Sequence, residues 1–239
     1  MKNNIRIAMS GTYSTGKTTT SYALSYLTGI PRTHAATMRE ILPKVLPGKR
    51  LEDCTPFDLY ELGIRRLTER VQHEAHMTEG YISDGSALHE WVYGRSRMRI
   101  GINPNKRQFA RFASKVKLLP YAVPFKEFNA YYGNMVKAHA KKNYDVFVHL
   151  PVEFSIKQDS HRPINEKFRS LSDNYLMNII TELNIPYVIV KGSVAERLEM
   201  LCAHFDFKTQ MSVDEAVRLA EIDTEKRNSI ELEYSKNLK

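Results

Sequence analysis

The stretch Ile5-Arg6-Ile7-Ala8-Met9-Ser10-Gly11-Thr12-Tyr13-Ser14-Thr15-Gly16-Lys17-Thr18 sets an apolar run of strand length against a loop bounded by two glycines. Residues 11–18 fit G-x-x-x-x-G-K-[ST] without departure, and Thr18 opens a segment with helical character up to about Leu27, ended by Gly29. Strand, loop and helix in that order are what a phosphate-binding loop requires. Gly11 and Gly16 let the backbone curl with its amide hydrogens pointing inward. The helix N-terminus adds positive partial charge. Gly11, Thr12, Tyr13, Ser14, Thr15, Gly16, Lys17, Thr18 and Thr19 are therefore expected to hold the phosphates of ATP. Lys17 would reach the β- and γ-phosphates, and the Thr18 hydroxyl would ligate Mg²⁺.

Outward from this loop, strands and helices alternate. Ile30–His34 suits a short second strand, and Ala36–Leu42 a helix stopped by Pro43. From Pro56, the residues Tyr60, Ile64, Leu67, Val71 and Ala75 form a helical stripe. His73-Glu74-Ala75-His76 lacks the histidine spacing of a zinc protease and reads as an exposed face of that helix. Gly80–Ser83 is a strand leading to Asp84, and Ala87–Tyr93 starts the next helix, whose Trp91 and Tyr93 read as packing residues. A helix over about 126–142, the strand Val146–Leu150, a helix marked by Phe168 to Leu183 and the strand Tyr187–Val190 follow. Ser193–Glu196 and Ser212–Glu215 are capping boxes. Crossovers of this length imply a parallel sheet covered on both faces, so the expected fold is α/β and doubly wound.

Phosphoryl transfer also needs a carboxylate near the metal at the end of a neighbouring strand. Asp84 is best placed, as Mg²⁺ ligand or as the base that accepts a hydroxyl proton. Capping of the helix after Gly85 is its structural alternative. Asp145 precedes its strand and falls at the wrong end of the sheet. In Asp159-Ser160-His161-Arg162-Pro163-Ile164-Asn165-Glu166-Lys167-Phe168-Arg169, two arginines stand about two helical turns apart. Arg162 and Arg169 read either as a catalytic clamp on the γ-phosphate or as solvated surface arginines. Arg32 and Arg39 read either as contacts to an acceptor phosphate or as solvent-facing residues.

Of 239 residues, 42% are hydrophobic and 26% charged, as in ordinary globular chains. No run of 18 apolar residues exists, and the N-terminus carries no hydrophobic signal region, so a cytoplasmic location without a membrane partner is expected. Cys54 and Cys202 stand alone and read as reduced thiols. The formal charge of +8 is concentrated: nine Lys and Arg, and no Asp or Glu, lie between Gly94 and Lys126. That field suits an anion, with Arg95 and Arg97 as candidate substrate contacts, or a nucleic acid, or a solvated face alone.

These pieces resemble the P-loop kinases, and within them the ATPase-like family that includes the ribosylnicotinamide kinase domain of the bifunctional NAD-biosynthesis regulator. The matching residues are Ser10–Thr18, Met38-Arg39-Glu40, Ser83-Asp84-Gly85, and Asp159, Arg162, Phe168 and Arg169. The resemblance implies strand order 2-3-1-4-5, an acceptor pocket between the end of strand 3 and the basic insertion at 94–126, and a lid at 158–169. The insertion is the departure from the family pattern. The expected protein is one P-loop kinase domain over 1–239, transferring the γ-phosphoryl of ATP to a small hydroxylated or phosphorylated acceptor, nucleoside-like by analogy. A kinase acting on nucleic acid and a regulatory NTP switch are the alternatives. The latter is weakened, for GTP, by the lack of an N-K-x-D motif.

Overall fold

The computed structural model describes residues 4–33, 36–49, 53–100, 122–153 and 166–236. Five strands pair in parallel: β1 (Arg6–Ser10), β2 (Arg32–Thr33), β3 (Tyr81–Ser83), β4 (Val146–His149) and β5 (Tyr187–Ile189). Their order is β2-β3-β1-β4-β5, as the resemblance implied. The central strand β1 pairs Ile7 with Ile82 on one side and with Val146 on the other. Its position places the loop that follows Ser10 at the middle of the carboxyl edge, where ligands bind in such sheets.

The inner strands β1, β3 and β4 are mostly apolar because both of their faces are covered, whereas Tyr187 and Ile189 of the edge strand β5 are exposed. Ile7, Met9, Ile82, Val146 and Val148 point to one side, where α1 (Lys17–Thr28), α7 (Val194–Phe205) and α8 (Val213–Lys236) pack. Ala8, Tyr81 and Phe147 point to the other, against α3 (Pro56–Ala75), α4 (Ala87–Ile100), α5 (Ala122–Asn143) and α6 (Glu166–Glu182). The short α2 (Met38–Val45) closes a third small cluster in which Ile41 and Leu42 meet Leu62 of α3. No described helix is long and apolar enough to cross a membrane. Cys54 and Cys202 are both free thiols.

Several boundaries differ from the sequence reading for local physical reasons. Pro43 lies inside α2, because a helix capped at Thr37 has only two more residues to run beyond it. α4 continues through Arg95, Arg97 and Arg99 to Ile100, so the first part of the basic segment is helix. α5 begins at Ala122, with Pro124 tolerated in its first turn. In α3, Tyr60 and Leu67 are buried, but Ile64 and Val71 are 37% exposed. The buried face instead runs through Arg70 and Glu74. Glu74 is therefore not on an exposed face: it accepts from Ser83 Oγ at 2.7 Å and Tyr144 Oη at 3.0 Å, and its other oxygen lies 2.8 Å from His139 Nε2. A carboxylate with that many partners tolerates burial. The box at Ser193–Glu196 forms fully. At Ser212 the hydroxyl accepts from the Glu215 amide, while the Glu215 carboxylate pairs with Arg218.

Candidate active site

The loop after β1 has a shape that only its own residues allow. Gly11 has φ of 129°, and a Cβ there would lie 2.3 Å from the Leu150 carbonyl oxygen. Gly16 has φ of 87° and caps α1 with no side-chain hydrogen bond to the first amides, which leaves those donors for an anion. Thr15 Oγ1 donates to Thr12 O at 3.1 Å and Lys17 Nζ to the same oxygen at 2.5 Å, so the lysine bends back over the loop. From α7, the Arg197 guanidinium donates to Thr15 O at 2.8 Å and pairs with Glu153 at 3.2 Å. It braces the loop from behind.

At the head of α1 the Thr18 hydroxyl donates to Asp84 Oδ1 at 3.4 Å. Asp84 is anchored from three directions. Arg32 on β2 and Arg227 on α8 both reach Oδ2, at 2.6 and 2.9 Å, and Arg70 donates to the Asp84 carbonyl at 3.2 Å. Burial alone would raise the Asp84 pKa, but the fields of Arg32, Arg227, Lys17 and Arg70 together outweigh it and hold the carboxyl well below the usual carboxylate range. A carboxylate held that low is a poor proton acceptor. Of the two roles open to Asp84, that of cation ligand asks for the ionised form that these cations favour. Mg²⁺ takes oxygen ligands from one or two carboxylates, hydroxyls and substrate phosphates, and the adjacent Thr18 and Asp84 oxygens fit that demand.

His89, in the first turn of α4, lies across the loop. Its Nδ1 accepts from the Ser86 amide at 2.9 Å, which leaves Nε2 to donate to the Gly11 carbonyl at 3.0 Å. Burial, then the nearby Lys17 and Arg70, push the His89 pKa well below its ordinary value, so the ring is neutral. Unfolding returns it to about 6.5, and the unfolded chain then binds the extra proton. Stability should be constant in this respect above that pH and fall as pH drops below it. His89→Gln should lower stability at neutral pH and flatten that acid slope; an unchanged slope in urea titrations at pH 5–7 would show that His89 is not its source.

A cleft of about 340 Å³ runs from the loop past Asp84 along α4. Its far wall is built from Arg66, Glu90, Tyr93 and Arg97. Arg66 of α3 and Glu90 of α4 form a half-buried ion pair there. Tyr13, from the loop itself, stacks on Tyr93 with ring centroids 4.5 Å apart and lies 6.0 Å from Phe168 at the start of α6. Trp91, on the neighbouring face, packs in the core and donates to Asn129 O at 2.9 Å.

Tyr13 to Thr19, Asp84 and Arg97 thus meet at one cleft, while Gly11 and Thr12 do not line it. Arg95 does not line it; its guanidinium sits 4.6 Å from the Tyr175 ring centroid. Arg169 does not line it either, being buried and paired with Glu166 at 3.1 Å. Its burial sets aside the solvated-surface reading of Arg169, and a clamp on the γ-phosphate stays an expectation. Asp145 pairs with Arg6 at the opposite edge of the sheet, as expected. Arg162 lies outside the described residues, as does the side chain of Arg39, whose backbone belongs to α2. Arg32, read either as an acceptor contact or as solvent-facing, has little exposure and pairs with Asp84. Sequence reasoning missed Arg66, Arg70, His89, Glu90, Arg197 and Arg227. His89 and Glu90 carried a signal, standing in the first turn of a helix that starts just past Asp84 at a ligand-binding edge.

A family model described as an AAA domain matches residues 6–197. The chain belongs to this family. The AAA domain match takes in the phosphate loop, Asp84 and Arg197, and ends before α8 with its Arg227. Among solved structures, deoxyadenosine kinase from M. mycoides with bound dATP superposes with a TM-score of 0.60 at 15% identity, covering 84% of this chain and 100% of that one. The same enzyme with bound dCTP gives 0.55 at 15% identity, covering 84% and 99%. With the products dCMP and a flexible dCDP it gives 0.53 at 15% identity, covering 84% and 98%. The shared feature is the fold, a P-loop kinase fold with a parallel sheet. A search of the curated proteins gives no match.

Proposed function

We propose that the chain is an ATP- and Mg²⁺-dependent kinase that transfers the γ-phosphoryl group to a small, hydroxylated, nucleoside-like acceptor. The observation that carries this reading is the approach of Thr18 Oγ1 and Asp84 Oδ1 to 3.4 Å at the mouth of the phosphate loop, with a cleft leading onward from them. Gly11 to Thr19 would hold the phosphates, and Lys17 would stabilise charge on the transferring group. Thr18 and Asp84 would hold Mg²⁺, which when bound neutralises phosphate charge. The acceptor would occupy the far part of the cleft, its ring beside Tyr93 and its polar groups facing Glu90 and Arg97. That nucleoside-sized space, and a fold shared with an enzyme that holds deoxynucleotides, support the acceptor class.

The experiment is a mass-spectrometric screen of nucleosides and small phosphorylated metabolites with ATP, scoring gain of one phosphoryl group. Once an acceptor is found, Arg97→Glu should raise its KM about tenfold or more while KM for ATP moves little. Arg95→Glu is the internal control and should leave both nearly unchanged. Equal effects of the two substitutions would place the acceptor elsewhere.

A further inference from the structure

α8 lies outside the segment matched by the AAA domain model, yet it enters the phosphate site. It docks along α1: Thr224 Oγ1 donates to Thr19 Oγ1 at 3.2 Å, and Tyr26 Oη donates to Asp223. Thr224, Arg227 and Asn228 stand at i, i+3 and i+4, so one helical face carries all three to the cleft wall. Thr224 registers the helix on the first turn of α1, and Arg227, one turn on, reaches Asp84 Oδ2 at 2.9 Å.

Two arginines share that oxygen, and their settings differ. Arg32 is tied at other points: Nε donates to Ser21 Oγ at 2.7 Å, and its guanidinium lies 3.8 Å over the Tyr22 ring. It does not line the cleft. Arg227 does, as do Lys17 and Thr18. The cations around the single carboxylate of Asp84 exceed what it neutralises, so this end of the cleft attracts an anion. A guanidinium with five N–H groups can keep Asp84 on one edge and present the other to a phosphate.

We infer that Arg227 is a phosphate-binding residue, supplied by α8, that contacts the terminal phosphate of a nucleoside triphosphate and so separates ATP from ADP. This rests on the nucleotide-site reading proposed above. Arg32 is the structural partner of Asp84, and Arg227 is the one that faces ligand.

The test is calorimetric titration of ATP and of ADP, with and without Mg²⁺, into the full chain and into Arg227→Gln and Arg227→Lys. A charge-assisted hydrogen bond lost from the terminal phosphate should weaken ATP binding by about 10- to 100-fold and ADP binding by less than about threefold in Arg227→Gln. Arg227→Lys, which keeps charge but not the planar fork, should fall between. Equal weakening of both nucleotides, or of neither, overturns the assignment, and thermal unfolding of each variant confirms that a folded chain was titrated. Should Arg227→Gln fail to fold, the ATP-to-ADP ratio of Arg227→Lys decides in the same way. Preferential ATP binding by the parent chain with no phosphorylated acceptor would sink the kinase reading and leave the Arg227 assignment to the ratio. No nucleotide binding by the parent chain would sink both.

Discussion

Lys17→Ala is expected to lower phosphoryl transfer by about 10³-fold or more while leaving the melting temperature within a few degrees of the parent. The reason lies in where the ammonium sits. Nζ donates to the Thr12 carbonyl inside the loop, on the half-buried rim of the cleft. Removing it takes away a positive charge where phosphate charge would develop, and the apolar sheet and helix faces are untouched. An assay of ADP release with saturating acceptor, run beside circular dichroism melts, separates the two effects. Undiminished turnover would remove the kinase assignment altogether.

Asp84→Asn should behave differently, losing both activity and stability. Its Oδ2 balances Arg32 and Arg227, each with little exposure. Breaking a buried pair from one side leaves uncompensated charge and costs about 3–5 kcal/mol. For a chain of this size that is roughly 6–20 °C in Tm. Loss of a cation ligand should also cost several kcal/mol at the transition state, or about 10²- to 10⁴-fold in kcat. The Mg²⁺ concentration for half-maximal rate should rise at the same time. If kcat held while only Tm fell, Asp84 would be a structural anion and the cation ligand would lie elsewhere.

What the sequence made legible was local. The loop at 11–18 is one unbroken pattern, and Asp84 follows a recognisable strand, so both were found without coordinates. β-strand alternation was hidden by burial on both faces, and the strand order came from family resemblance rather than from periodicity. The cations that act on Asp84 were beyond reach for a different reason. Arg227 and Arg197 lie 143 and 182 residues from their partners. Nothing in the local pattern of an amphipathic helix distinguishes an arginine that turns inward. Glu74 illustrates the converse error. Flanked by His73 and His76 it looks solvated, yet the partners that allow its burial come from β3, from α5 and from Tyr144 just past it.

The docking of α8 on α1 also has a consequence in time. Thr19 and Thr224 are separated by 205 residues, and the Leu27 carbonyl accepts from the Gln210 amide at 2.7 Å. Such contacts raise the mean sequence separation of the native pairings, which slows the search for them. During synthesis at about 5–20 residues per second, roughly 10–40 s pass between the emergence of the phosphate loop and that of the arginine behind Asp84. Over that interval β1, β3 and β4 can pair in the nascent chain, while the face of α1 meant for α8 stays wet. The growing polypeptide therefore passes through a stage with a cradle for phosphate and an uncovered apolar flank. That stage is where a chaperone would find its grip.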